Sequence, residues 1–290
     1  MDARCCGAMA EVVLVNEEGF AIIVRESGET ITVGEENEMM NCVRFHPSGG
    51  IIAANDHAVT LWGAESAKEN KEEKEKKEQK LKHGSVVAMS VHPCGDFLLT
   101  AASNTSWQFY DVAHSFNLVC VGGGLSKYDH VEFHGDGMTF FTGTSHDGIM
   151  HLWDLRTPTF PSLTFNAFPW NLQAIVGLRC SPDGRHVASA HAQGCVKIWD
   201  IRTLTNPCTF CPIFDTTQEK EDVLIGLDYD ATGASLAIAS PRTIFVFDAA
   251  PLWTLRSRLF RPCLLSALRW NPCLSLMSLS AQGRVDFLKL

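Results

Sequence analysis

Apolar residues in this chain fall in short runs of roughly five, each closed by turn residues, which is the pattern of β-strands rather than helices. Six segments repeat one order: an apolar strand, a His-Pro or Pro-Asp-Gly type of turn, a second strand ending in small residues, a polar turn and a third strand. They read NCVRFHPSGGIIAANDHAVTLWG, VAMSVHPCGDFLLTAASNTSWQFYD, YDHVEFHGDGMTFFTGTSHDGIMHLWD, IVGLRCSPDGRHVASAHAQGCVKIWD, LIGLDYDATGASLAIASPRTIFVFD and LSALRWNPCLSLMSLSAQGRVDFLKL. A shorter seventh copy, EVVLVNEEGFAIIVRE, opens the chain. The large residue closing each copy falls at Val24, Trp62, Tyr110, Trp153, Trp199, Phe247 and Leu288, with spacings of 38, 48, 43, 46, 48 and 41 residues. A period of about 40–45 residues predicts four strands per repeat and a propeller blade. A lone four-stranded blade leaves both faces uncovered, so the blades are expected to stack face to face around an axis. The reading is all-β: a seven-bladed β-propeller occupying residues 1–290 as a single domain. Its blades are placed at 1–34, 38–66, 84–114, 126–160, 172–206, 221–252 and 262–290.

One stretch breaks this pattern. Residues 68–82, KENKEEKEKKEQKLK, hold seven Lys and five Glu, and residues 67–82 read as a charged insertion, helical or unstructured, where the second blade needs its outer strand. The chain is expected to start too late to provide the outer strand that would close the seventh blade, and the inner strand of the first looks short or missing, so the seam of the propeller is expected to be incomplete at the N-terminus, leaving an unpaired edge.

Composition narrows the function classes. The 290 residues are 46% hydrophobic and 20% charged, which excludes a wholly disordered chain. A net charge of −9 argues against a broad grip on nucleic acid, so RNA is expected at most indirectly. No apolar run reaches the length of a membrane span, and MDARCCGAMAEVVLV has no signal-peptide pattern, so no membrane association is expected. The 11 cysteines, an odd number, argue against a disulfide framework and for free thiols serving as small core residues. Cys208 and Cys211 form a lone C-x-x-C without the second half of a zinc site. The glycine-rich VGGGLSK at 121–127 lacks the phosphate-loop pattern and precedes a strand. His46 and His92 sit in His-Pro turns and read as structural. No catalytic constellation appears, so neither a cofactor, a metal nor a small-molecule substrate is expected, and the chain reads as non-catalytic.

The repeats resemble the WD-repeat family, most closely at LWDLR (152–156) and IWDIR (198–202). In that family the third-strand Trp, an Asp six residues earlier and a loop His form a buried hydrogen-bonded brace. The resemblance assigns Trp62, Trp153 and Trp199 to the Trp place, Asp56 and Asp147 to the Asp place, and His83 to the His of the third blade. Asn104, Gln193, Pro241 and Gln282 depart from the Asp, and the last two blades are expected to lean on apolar packing. More specifically, VVAMSVHPCGDFLLTAASNTSWQFYDV (86–112), GMTFFTGTSHDGIMHLWDLR and the C-terminal VDFLKL resemble, in order and spacing, the C-terminal propeller of the pre-mRNA-processing factor 19 family of the spliceosomal Nineteen complex. That family begins with a U-box and a coiled coil, and neither pattern is found here.

What the resemblance implies is a nuclear protein-interaction scaffold in pre-mRNA splicing, linked to protein ubiquitination and binding splicing factors or ubiquitination substrates. A second resemblance, W-D-x-R at 153–156 and 199–202, implies instead a substrate receptor of a cullin-type ubiquitin ligase. Binding on a propeller is carried by loops over a rigid scaffold, and loop aromatics anchor interfaces. The candidate partner-binding residues are therefore Lys127, Tyr128 and Asp129 before the fourth blade, and Trp170 and Asn171 before the fifth.

Overall fold

The computed structural model describes residues 2–6, 9–15, 20–25, 27–33, 40–56, 58–63, 76–80, 84–114, 116–124, 126–166, 173–203, 208–210, 224–250, 252–262, 264–270, 276–281 and 284–289. The strands among them form six four-stranded blades and one three-stranded sheet, each a meander in chain order. Blade 1 consists of β1 (Asp2–Cys6), β2 (Met9–Val15), β3 (Ala21–Arg25) and β4 (Thr30–Val33). Blade 2 is built from β5 (Met40–Phe45), β6 (Ile51–Asn55), β7 (Ala58–Trp62) and β8 (Lys76–Lys80). Blade 3 contains β9 (Val86–Val91), β10 (Phe97–Ala102), β11 (Ser106–Asp111) and β12 (Asn117–Gly123). In blade 4 come β13 (His130–Phe133), β14 (Thr139–Gly143), β15 (Ile149–Asp154) and β16 (Leu163–Asn166). Blade 5 holds β17 (Ile175–Cys180), β18 (His186–His191), β19 (Val196–Asp200) and β20 (Cys208–Phe210). Blade 6 has β21 (Gly226–Tyr229), β22 (Ser235–Ala239), β23 (Thr243–Asp248) and β24 (Thr254–Phe260). The last sheet is β25 (Ala267–Trp270), β26 (Leu276–Ala281) and β27 (Arg284–Lys289).

Three expectations change. Seven blades were expected, and six are complete among the described residues, where the final sheet has three strands. The first sheet holds four strands, with β1 paired to β2 from Asp2↔Val13 to Cys6↔Met9, so no strand of the first blade is missing, while the last sheet has three strands among the described residues. Residues 67–82 are not wholly an insertion, since β8 pairs along β7 from Ala58↔Lys80 to Trp62↔Lys76 and supplies the fourth strand of blade 2. An outermost strand has one edge without a partner, and charge there discourages unwanted pairing, so a Lys/Glu run is compatible with this place.

The strands fall into two compact units, Met1–Thr142 with His151–Thr164, and Gly143–Met150 with Phe165–Leu290. In the first unit the opening strands of successive blades are neighbours, β5 beside β9 and β9 beside β13. In the second, β17 lies beside β21 and β21 beside β25. The second strand of a blade is covered on both faces, which is why β10 (FLLTAA) and β22 (SLAIA) are buried nearly throughout and mostly apolar rather than alternating. Each buried Leu or Ile in such a strand contributes about 1.5–3 kcal/mol by leaving water. Blade 6 places Phe247 among Leu224, Leu227, Leu236 and Ile238, the apolar packing expected where the polar brace is missing.

Among the described residues no helix is long and apolar enough to cross a membrane. Cys42, Cys94, Cys120, Cys180 and Cys208 are free thiols, as expected, whereas Cys195 is disulfide-bonded. Cys211, the other half of the C-x-x-C, lies outside the described residues.

Candidate protein-interaction surface

The loop before β13 carries three candidate residues and exposes one of them, Lys127. Lys127 is exposed, with its Nζ 3.7 Å from Asp129 Oδ1, and the Asp129 side chain is mostly covered. Tyr128 is fully buried, so it is corrected from surface anchor to core residue. Its ring stands edge-on to His151 at 6.0 Å and to Trp153 at 6.2 Å. A loop aromatic flanked by two rings is held by packing and has no surface left for a partner. Trp170 and Asn171 lie outside the described residues, as does His83.

The residues assigned to the brace separate into several arrangements. Trp153 is completely buried and its Nε1–H donates to Thr142 Oγ1 at 2.9 Å, on the neighbouring strand β14. The indole stacks on Phe140 at 6.1 Å with 7° between planes and meets Trp107 edge-on at 5.4 Å. Aromatic pairs in such geometry add to the area they bury. Asp147 accepts hydrogen bonds from Thr144 Oγ1 and from the Ile149 N–H at 3.2 Å, which closes the turn into β15. Asp56 is exposed rather than buried, and accepts from Asn41 Nδ2 at 2.7 Å. Asn41 also reaches Val86 O at 3.4 Å, so this pair joins blade 2 to the first strand of blade 3. Trp62 is 2% exposed and packs with Ile23, Val43 and Ile51. Trp199 is tilted against Phe165 at 5.4 Å, and its Nε1 has no hydrogen-bond partner among the described residues.

Blade 5 uses a histidine that the repeat pattern does not point to. His191 is fully buried, with Ser189 Oγ 3.0 Å from its Nε2 and Gln173 O 3.3 Å from its Nδ1. Burial lowers its pKa to about 4, against the bond to Gln173 O and with help from the Lys197 charge. Nδ1–H then donates to the carbonyl while Nε2 accepts from the serine hydroxyl.

A second set of histidines links blades within the first unit. His46 Nε2 donates to Gly95 O at 2.7 Å while its Nδ1 accepts the Ser48 N–H at 3.1 Å. His92 repeats this with Gly137 O at 2.9 Å and the Cys94 N–H at 3.1 Å. Each ring therefore ties its own turn to the matching turn of the next blade. Gly137 is in the left-handed region at φ 68°, and a Cβ there would stand 2.3 Å from His92 Nε2, so only glycine fits. The sequence signal was the His-Pro dipeptide at the same place in two repeats, which marks the turn but not its reach. The glycine-rich segment has a packing role of the same kind: a Cβ on Gly122 would lie 2.2 Å from the Trp107 ring.

The two W-D-x-R corners are alike. Arg156 Nε lies 2.9 Å and its terminal nitrogen 2.5 Å from the two Asp154 oxygens; Arg202 meets Asp200 at 3.1 and 2.6 Å. The Arg156 hydrogen bonds hold the Asp154 carboxyl at about 2, and Arg202 likewise lowers Asp200. Both arginine side chains remain largely exposed. Among the described residues no group of three or more His, Cys, Asp or Glu is arranged to hold a metal ion.

Comparison with known proteins places these features. Residues 125–154 and 166–200 match the family described as WD domain, G-beta repeat. Pre-mRNA-processing factor 19 of Oryza sativa subsp. japonica is 26% identical over 271 residues, covering 91% of this chain and 46% of that protein. Its Dictyostelium discoideum counterpart is 26% identical over 230 residues, 77% of this chain and 43% of that protein. Telomerase Cajal body protein 1 of Rattus norvegicus is 29% identical over 128 residues, 44% of this chain and 24% of that protein. The chain thus spans less than half the length of these curated relatives. A chain in the crystal structure of a mitotic checkpoint complex shares the fold, with a TM-score of 0.79 at 13% identity, over 99% of this chain and 89% of that one. The chain therefore carries WD40 repeats and is similar along most of its length to pre-mRNA-processing factor 19 proteins of several species.

Proposed function

We propose that the chain is a non-catalytic protein-interaction scaffold acting in pre-mRNA splicing in the nucleus. The observation that carries this reading is the similarity to pre-mRNA-processing factor 19 across 91% of the chain. The architecture is consistent with it: the buried rings and the histidine-linked turns are used in packing and turn closure, which leaves exposed loop residues to meet partners. Lys127 is the described exposed member of that set, with the mostly covered Asp129 beside it, and this loop binds splicing factors or ubiquitination substrates. The link to ubiquitination comes through recruitment, with transfer performed by another polypeptide region or subunit. Affinity purification of the tagged chain from nuclear extract, with and without ribonuclease, tests this. Ribonuclease-resistant recovery of splicing proteins is expected; recovery of none contradicts it.

The matched, exposed Arg156–Asp154 and Arg202–Asp200 corners support a second reading, a substrate receptor of a cullin-type ubiquitin ligase. On that reading the same purification recovers a cullin adaptor, and Arg156→Ala with Arg202→Ala abolishes the recovery.

A further inference from the structure

The outermost strand of blade 6 combines exposed arginines with exposed apolar side chains. β24, TLRSRLF, pairs with β23 from Thr243↔Phe260 to Asp248↔Thr254, with a register shift between Val246 and Phe247 that leaves Arg256 without an opposite residue, and among the described residues no strand lies beyond it in its sheet. Leu252 is 85% exposed, Leu255 51%, Phe260 70% and Leu264 46%. Among these apolar groups stand Arg242, Arg256 and Arg258, all exposed, and Arg261. Arg261 is held by Asp286 at 2.5 Å, and Arg256 faces Asp248 across 3.8 Å. Arg258 lies over the Phe245 ring at 5.4 Å, and neither it nor Arg242 has a carboxylate partner among the described residues. The patch thus carries a local surplus of positive charge in a chain of net charge −9.

The strand is also firmly seated. Trp253, just before it, packs edge-on to His186 at 5.6 Å and to Tyr229 at 6.0 Å, with its backbone at φ 55°. Natural edges are commonly protected by charge; β24 sets Arg256 and Arg258 beside exposed Leu255 and Phe260, a mixture that repels a basic strand and leaves apolar surface for an acidic one. An open strand offers a partner main-chain hydrogen bonds for affinity and side-chain positions for specificity. The charge selects which partner. An acidic segment gains from Arg242, Arg256 and Arg258, whereas a basic one is repelled. RNA fits less well, because the patch offers one short strand and two unneutralised guanidiniums rather than a basic stripe with stacking rings.

We propose that the outer edge of β24 docks an extended acidic segment of a partner protein, its backbone pairing with the strand, its carboxylates meeting Arg242, Arg256 and Arg258, and its apolar side chains covering Leu255 and Phe260. This does not depend on the splicing reading, since it follows from the exposed edge and its charge. The test uses the whole chain and fluorescent octapeptides, one alternating glutamate with valine and one alternating lysine with valine. The glutamate peptide binds, salt weakens it, and the amides of residues 254–260 gain protection from hydrogen exchange. Arg256→Glu with Arg258→Glu weakens binding by about tenfold or more, and Phe260→Ala weakens it independently of charge; all three residues are exposed, so both variants keep the fold. Equal binding of the lysine peptide, unchanged affinity in both variants, or displacement of the peptide by a uridine oligonucleotide overturns the proposal.

Discussion

Tyr110 and Trp153 occupy the same place in adjacent blades, the large ring closing the third strand, and solve one problem in two ways. Both are buried, 3% and 0% exposed, and both carry a polar edge into the core. Trp153 donates across the sheet to Thr142 on β14. Tyr110 donates within its own strand to Gln108 Oε1, two residues back on the same face, and burial raises its hydroxyl pKa to about 12. The place therefore demands ring volume first, and any nearby acceptor then satisfies the polar edge. Phe247 meets the demand with no polar edge at all. Trp199 meets it with an Nε1 that lacks a partner among the described residues.

The largest expected effect comes from removing the ring. Trp153→Ala empties a site lined by Phe140, Trp107 and Tyr128, and is expected to cost about 3–5 kcal/mol in chemical denaturation. A loss below about 1 kcal/mol would mean that the volume is dispensable. Next is acid. His191 has its pKa lowered from 6.5 to about 4, so the unfolded chain takes up the proton first as pH falls. Its contribution of about 3 kcal/mol is complete above pH 6.5, declines as pH drops toward 4 and is gone below that. Denaturation midpoints followed across that range should show the decline, and His191→Leu should remove this component of it. Gly137→Ala forces a Cβ against His92 and is expected to cost about 2 kcal/mol or more, with His92→Ala relieving part of the strain in the double variant.

Replacing only the polar edge sharpens the contrast between blades 4 and 5. Trp153→Phe leaves the buried Thr142 hydroxyl without its donor and should cost about 1–3 kcal/mol, partly through ring size. Trp199→Phe removes an unpartnered N–H and should cost less. Equal losses in the two variants would show that the Thr142 bond adds nothing beyond packing. At the small end, Arg156→Ala is expected to leave the midpoint unchanged, since its exposed pair with Asp154 is worth little in water.

Much of this fold is readable from residues alone, for a physical reason. The closing residues from Val24 to Leu288 recur because each blade needs volume at one place, and volume survives exchange among Val, Trp, Tyr, Phe and Leu. The outer strands are another matter. β8 is KKEQK and β12 is NLVCVGG, opposite in character yet equivalent in position, because an outer edge constrains composition weakly. That is why 67–82 read as an insertion. The brace was legible only in part: Trp153 was found, but its partner Thr142 is a threonine like many others, and Asp56 bonds Asn41 in an exposed position. Tyr128 looked like a loop anchor because a sequence shows that an aromatic lies on a loop, not that the loop folds back beside Trp153. The reach of His46 and His92 into the next blade depends on how turns stack, which spacing within one repeat does not contain.

We propose that packing residues hold the blades and that exposed loop residues, Lys127 among them, meet the splicing machinery. Quantitative recovery of splicing proteins from ribonuclease-treated nuclear extract, comparing the unaltered chain with Lys127→Glu, tests it most directly. The account predicts that the variant keeps its thermal midpoint and loses most of the recovered proteins. The same proteins recovered in equal amount by both chains, or none recovered by either, would contradict it.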